Sequence, residues 1–264
     1  MTTAPKLITF ESGDHVAAAT VQEIIKSQNA KLKPELKKKK SKRLKKFRIA
    51  LSSGQLLNSI PEALLERRDE IDWANWDVFL VDECLVPFHS SYSNYGRLKE
   101  RLIDPLIAVN SPLPQIYHIE EAVINNPQAV ADNYEKKLIQ NFASRDSVRL
   151  PTFDIILLGC EPDGHIASLF PQFQDHLRED MAWVIPVTNA PHGPANRISM
   201  TIPVICNASC IIFAVTGKEN ASIMKKIVEA PTCGLPSTVV SESATGRVSW
   251  FVESDALKGV MIMD

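Results

Sequence analysis

The chain has no uninterrupted apolar run approaching the roughly 18 residues needed to cross a bilayer, which excludes a helical membrane protein. Its five cysteines, Cys84, Cys160, Cys206, Cys210 and Cys233, are odd in number and form no Cys-x-x-Cys pair. Neither a disulfide framework nor a zinc knuckle is therefore expected, and buried or semi-exposed thiols are the default. Gly-x-Ser-x-Gly is missing, and no second histidine lies near His165, which argues against a serine-hydrolase triad. The first thirty residues lack the ordered charged, apolar and small-residue blocks of a signal peptide, because Glu11, Asp14 and Glu23 interrupt the apolar positions. The expected location is the cytoplasm, with the nucleus as a second possibility.

A near-neutral total charge of −2 hides an uneven distribution. Between Lys31 and Arg48 there are eleven Lys or Arg and one acid, Glu35, which leaves 18 basic and 30 acidic residues elsewhere. The segment at about 31–46 reads as a solvated basic insert between a helix and a strand. Its run Lys37 to Lys46 would suit a weak RNA contact or an import receptor, although no aromatic residues interleave with it for base stacking.

At 264 residues one large α/β domain is favoured over two small ones. Strands are expected at Phe47–Leu51, Val78–Val81, Ile116–Ile119, Phe153–Leu158, Ala182–Val187, Ile198–Ile202, Cys210–Val215 and Val248–Val252. Helices are expected in the second half of 7–28, then at about 55–67, 94–103, 127–142 and 219–229. This alternation predicts a doubly wound, mostly parallel sheet with helices on both faces, Rossmann-like in organisation. Residues 171–203 have the weakest periodicity and read as an edge excursion or lid.

Three polar loops follow expected strands: Ser52-Ser53-Gly54, Asp82-Glu83-Cys84 and Asp163-Gly164-His165. A parallel sheet would bring them to one edge, where ligands of α/β proteins collect. His165 suits a general base, with Asp163 two residues before it to fix its tautomer. Ser52, Ser53 and Gly54 could hold a phosphate through hydroxyls and backbone N–H groups, though a plain helix cap is the simpler reading of a Ser-Gly turn. His192 and Arg197 lie in a Pro- and Gly-rich loop where cations could meet an anionic ligand, a solvated loop being equally plausible. Asn94 reads as a helix cap.

At these motifs the chain strongly resembles the 6-phosphogluconolactonases, in particular a fungal branch linked to transfer-RNA export. Gly159 to Pro171 is similar to the family's Gly-x-Gly-Pro-Asp-Gly-His-Thr-Ala-Ser-Leu-Phe-Pro block. Asp82-Glu83, Ser93-Asn94-Tyr95-Gly96, Asn189 to Pro203 and Val215-Thr216-Gly217-Lys218 resemble further family segments, in the same order from about Phe47 to Trp250. The resemblance implies hydrolysis of 6-phospho-D-glucono-1,5-lactone in the oxidative pentose phosphate pathway, without metal or organic cofactor. It assigns His165 as the base that activates water. The sugar phosphate would be held by Ser52, Ser53, Gly54, Asp82, His192 and Arg197.

Three departures bear on that activity. The family's Ser-Gly-Gly is Ser52-Ser53-Gly54, so a Cβ at Ser53 could obstruct a positive-φ conformation or close backbone approach. Cys84 replaces an arginine and His192 a lysine, which removes positive charge from a site for an anion. The second expectation is therefore a catalytically weak or inactive paralogue that acts in transfer-RNA distribution. Isomerisation or deamination of an amino-sugar phosphate ranks lower, because the Asp-Gly-His block sides with the lactonases. A monomer is the default oligomeric expectation.

Overall fold

The computed structural model describes residues 5–33, 45–54, 56–142 and 149–261. Strand β1 (Lys6–Phe10) leads into α1 (Gly13–Leu32), which Ser12 caps by accepting the His15 N–H. Then follow β2 (Phe47–Leu51), α2 (Leu56–Glu66), β3 (Trp76–Leu80), β4 (Asp82–Cys84) and α3 (Asn94–Leu98). A π-helical turn (Lys99–Ile103) joins α3 to α4 (Asp104–Ala108), so the expected helix runs one turn further than its periodicity shows. Pro105 removes a helical donor at this point, and the wider turn accommodates the loss. Next come β5 (Gln115–Tyr117), α5 (Pro127–Phe142), β6 (Ile155–Leu158) and the short α6 (Gln174–Arg178). The chain ends with β7 (Val184–Val187), β8 (Arg197–Met200), α7 (Ile202–Cys206), β9 (Ile211–Val215), α8 (Ala221–Glu229), α9 (Pro236–Ser243) and β10 (Val248–Glu253).

Seven strands form one parallel sheet in the order β1-β10-β9-β6-β2-β3-β5. Its central strands β3 and β6 are buried on both faces, which explains their continuous apolar character, whereas the edge strands β1 and β5 are partly exposed. One core, with Val21, Ile24, Leu57, Trp73, Trp76 and Leu98, lies beneath α1, α2 and α3. The other, with Val130, Tyr134, Leu138, Met224 and Val240, lies beneath α5, α8 and α9. The doubly wound expectation therefore holds. From β2 the chain winds outward through β3 to β5, and from β6 it winds the opposite way through β9 to β10. The reversal falls between β2 and β6, paired in register from Ile49–Ile155 to Leu51–Leu157. A crevice opens at the carboxyl ends of strands at such a switch point.

The segment expected as an excursion or lid is ordered differently. β8 pairs antiparallel with both β7 and β4, making a second sheet in the order β4-β8-β7. The strand expected over Ile198–Ile202 stops at Met200, because Pro203 enters the first turn of α7, where a missing N–H costs nothing. α9 was not expected at all. Its Ser- and Thr-rich sequence has weak helix propensity, yet Ser237, Thr238 and Val240 are buried, so packing decides. Of the basic insert, residues 34–44 lie outside the described residues. At its margins Lys31 ends α1 and pairs with Asp154 at 2.8 Å, and the Lys46 Nζ donates to the Ala74 carbonyl. Among the described residues no helix is long and apolar enough to cross a membrane.

Candidate active site

The loop after β6 crosses the switch point as a closed turn. The Glu161 N–H donates to the His165 carbonyl at 3.1 Å, and the Gly164 N–H donates to the Glu161 carbonyl at 2.8 Å. Gly164 adopts φ +86, and a Cβ there would lie 2.8 Å from Leu235 Cδ2, so glycine is required for both conformation and space. Asp163 accepts from the His165 backbone N–H at 3.1 Å and lies 2.6 Å from its Nδ1. With Nδ1 protonated toward the carboxylate, the Nε2 lone pair is left available. The imidazole is buried and packs 4.5 Å from the Phe170 ring, which fixes its plane. Burial alone would raise Asp163, but the hydrogen bond and charge of His165, with His192 nearby, outweigh it and hold the carboxyl below its usual range.

The loop after β2 faces this turn. Ser52 and Ser53 both bind Asp82. Ser52 Oγ and the Ser53 N–H both donate to Asp82 Oδ1 at 3.1 Å, Ser53 Oγ donates to Oδ2 at 3.1 Å, and Ser168 Oγ to Oδ2 at 2.9 Å. The Asp82 side chain is thus a buried tie between β2, β4 and the β6 loop. It stands under the loop expected to hold phosphate. The positive φ of this loop is at Gly54, +87, and Ser53 is not among the residues with positive φ. The conformational objection to a Cβ at Ser53 is overturned.

Arg197 and His192 do converge on this crevice. Arg197 is buried, 5.3 Å over the Phe170 ring, which also packs against His165. Its guanidinium donates to the Pro194 carbonyl at 3.1 Å and to the His192 carbonyl, so part of its donor capacity is engaged by its own loop. His192 is exposed, with Nε2 3.6 Å from Asp163 Oδ2. Asp163 therefore stands between two imidazoles. Cys84 and Cys160 are not activated thiols: burial pushes each up to about 12. Among the described residues no group of three or more His, Cys, Asp and Glu side chains is placed to hold a metal ion.

Four contributors escape the sequence reading. Ser93, not Asn94, caps α3 by accepting the Gly96 N–H, while Asn94 Nδ2 donates to the Asp82 carbonyl. Glu83 is buried beneath that helix start and accepts from the Cys84, Asn94 and Tyr95 N–H groups at 2.7 to 2.8 Å. Arg97 follows the Ser-Asn-Tyr-Gly segment and donates to the Gly54 carbonyl at 3.1 Å, which places a cation at the β2 loop. Glu161 reaches the same loop from the other side, with Oε1 only 2.4 Å from the position a Cβ on Gly54 would take. Its signal was visible as an acid at the second glycine of the Gly-x-Gly-Pro-Asp-Gly-His pattern.

Residues 11–250 match the family described as glucosamine-6-phosphate isomerases/6-phosphogluconolactonase. The chain belongs to this family. It is 56% identical over 227 residues to 6-phosphogluconolactonase-like protein 1 of Saccharomyces cerevisiae, covering 86% of this chain and 70% of that one. With 6-phosphogluconolactonase-like protein 2 of the same yeast it shares 45% identity over 99% of this chain and 95% of the relative. A probable 6-phosphogluconolactonase of Schizosaccharomyces pombe is 40% identical over 80% of this chain and 82% of the relative. The fold matches the 6-phosphogluconolactonase from Trypanosoma cruzi with a TM-score of 0.78 at 22% identity, over 99% of this chain and 98% of that one. The sequence-based family assignment and the parallel α/β fold both stand.

Proposed function

We propose that the crevice hydrolyses 6-phospho-D-glucono-1,5-lactone to 6-phosphogluconate, with His165 as general base. The observation that carries this reading is the Asp163–His165 pair at 2.6 Å, set at the switch point beside the Gly54 loop. His165 Nε2 takes a proton from water as the water oxygen attacks the lactone carbonyl carbon. The carbonyl π electrons move to oxygen, and donors of the turn backbone stabilise that oxyanion. When the carbonyl re-forms, the bond to the ring oxygen breaks, and the imidazolium returns its proton to that oxygen. Asp163 holds the tautomer and balances the imidazolium charge. Membership of the family, and a probable 6-phosphogluconolactonase at 40% identity, support the substrate class.

The test is turnover of freshly generated lactone, coupled to a 6-phosphogluconate dehydrogenase and corrected for spontaneous ring opening, with His165→Ala as control. Activity above background that disappears in the control is the expected result. A rate equal to background in both would favour a second reading, a weak or inactive relative that binds ligand or acts in transfer-RNA distribution. The neutral Cys84 and the self-engaged Arg197 support that alternative, as do the -like names of the two yeast relatives.

A further inference from the structure

The Glu161 side chain reaches from the β6 turn to the facing β2 loop and takes no part in the proposed proton relay. Its backbone is fixed by the turn bonds to His165 and Gly164. Its Oε1 lies against Gly54, 2.4 Å from where a Cβ would project, and Cδ is 3.6 Å from the same point. The charged groups that act on it are His165 and Asp163 from its own turn, Asp82 from β4, Arg197 from β8 and Arg97 from α3. The Cys160 thiol adjoins it. Three cationic or basic groups thus surround one tethered carboxylate, at a position where the Gly-x-Gly-Pro-Asp-Gly-His pattern has no side chain.

We propose that Glu161 determines ligand-charge specificity: its carboxylate lies beside Gly54 as an internal anion and weakens the grip on phosphorylated sugar ligands. The inference rests on the reading of the crevice as a sugar-phosphate site. A ligand phosphate entering beside Gly54 meets a like charge and competes for Arg97 and Arg197. An unphosphorylated sugar acid carries one anionic group fewer and meets less of this repulsion. Burial raises the Glu161 carboxyl, as do Asp163 and Asp82, while His165 and Arg197 oppose the rise. The repulsion is therefore strongest in alkaline solution and relaxes as acid protonates the side chain.

Calorimetric binding of 6-phosphogluconate, the stable product of the proposed reaction, tests the idea at pH 8 on the full chain and on the Glu161→Gln and Glu161→Gly variants. Gluconate serves as the unphosphorylated comparison. Glutamine keeps the size and turn geometry, so thermal unfolding is expected to match the parent even if the glycine variant is looser. The expected result is a dissociation constant for 6-phosphogluconate lowered about tenfold or more in both variants, with gluconate changed much less; tenfold is what about 1.4 kcal/mol of relieved repulsion gives. The gap between parent and Glu161→Gln should narrow as the pH is lowered, because protonation of Glu161 removes the charge that glutamine lacks. Equal affinities in parent and variants at pH 8 would overturn the role of Glu161 while leaving the sugar-phosphate reading intact. No binding by any of the three proteins would overturn both.

Discussion

The two walls of the crevice are built on different plans. One wall is the turn from Glu161 to His165, where acid and imidazole stand two residues apart and share a hydrogen bond of 2.6 Å. The other is assembled from the β2 loop, β4, β8 and the start of α3, and polar groups distant in sequence meet there through folding: Ser52 with Asp82, and Arg97 with Gly54. In the proposed mechanism the first wall carries the proton chemistry and the second sets what can sit before it. A pair held within one short turn survives change elsewhere in the chain. Charge recognition spread over four elements can drift one residue at a time, as Cys84 and His192 illustrate. Proton transfer and ligand grip are thus separable properties of this fold.

The sharpest way to break that comparison is to disable the first wall without touching the second. Asp163→Asn keeps the side-chain size but removes the charge that holds Nδ1–H and balances the imidazolium. A loss in kcat of up to about 10⁴-fold with little change in KM is expected, as for loss of the carboxylate that orients a catalytic histidine. Steady-state kinetics on the phosphorylated lactone measures it. A rise in KM with kcat unchanged would instead make Asp163 part of the ligand grip and dissolve the division between the walls.

The second prediction concerns the stability of the other wall. Glu83, sealed beneath α3, is pushed up to about 8 by burial, with Asp82 adding to the rise and three backbone N–H groups opposing it. Between the ordinary glutamate value of 4.5 and about 8, the folded chain retains a proton that the unfolded chain releases. Stability from this group is therefore fully present below 4.5 and is lost as pH rises to about 8. Urea midpoints measured from pH 5 to 8 should fall for the parent and fall less for Glu83→Gln, which has no proton to release. Parallel profiles would show that the backbone donors keep Glu83 ionised throughout.

How much of this was legible follows from what local sequence encodes. The Asp163–His165 pair and the strand before it could be read directly, because the partners are neighbours and the strand is apolar on both faces. The β4-β8-β7 sheet was legible only in part: β7 and β8 lie within expected strands, but β4 has three residues, too short for a period, and pairs with β8 across more than a hundred positions. Asp82 was read as a ligand contact for the same reason: its four hydrogen-bond donors lie on two distant loops, and only their convergence makes it a structural tie. Glu161 was visible as a departure but had no partner in sequence to give it meaning. Gly54 supplied that partner, from the adjacent strand end.

Ser53 gives the smallest effect and sharpens the comparison most. A serine in place of a family glycine suggests an obstructed loop, and Ser53→Gly would then restore ligand binding. The positive φ is at Gly54, however, and Ser53 Oγ is turned to Asp82 at 3.1 Å rather than toward the facing turn. Ser53→Gly is therefore expected to leave the affinity for 6-phosphogluconate within about twofold, since the side chain removed is directed away from the ligand. It should instead lower stability by about 1 kcal/mol, through one lost hydrogen bond and the added freedom of the unfolded chain. Calorimetry and urea unfolding on the same preparation separate the two outcomes. A gain in affinity approaching that expected for Glu161→Gln would move the obstruction from a carboxylate to a methylene group, and make the weakness of the second wall one of shape rather than charge.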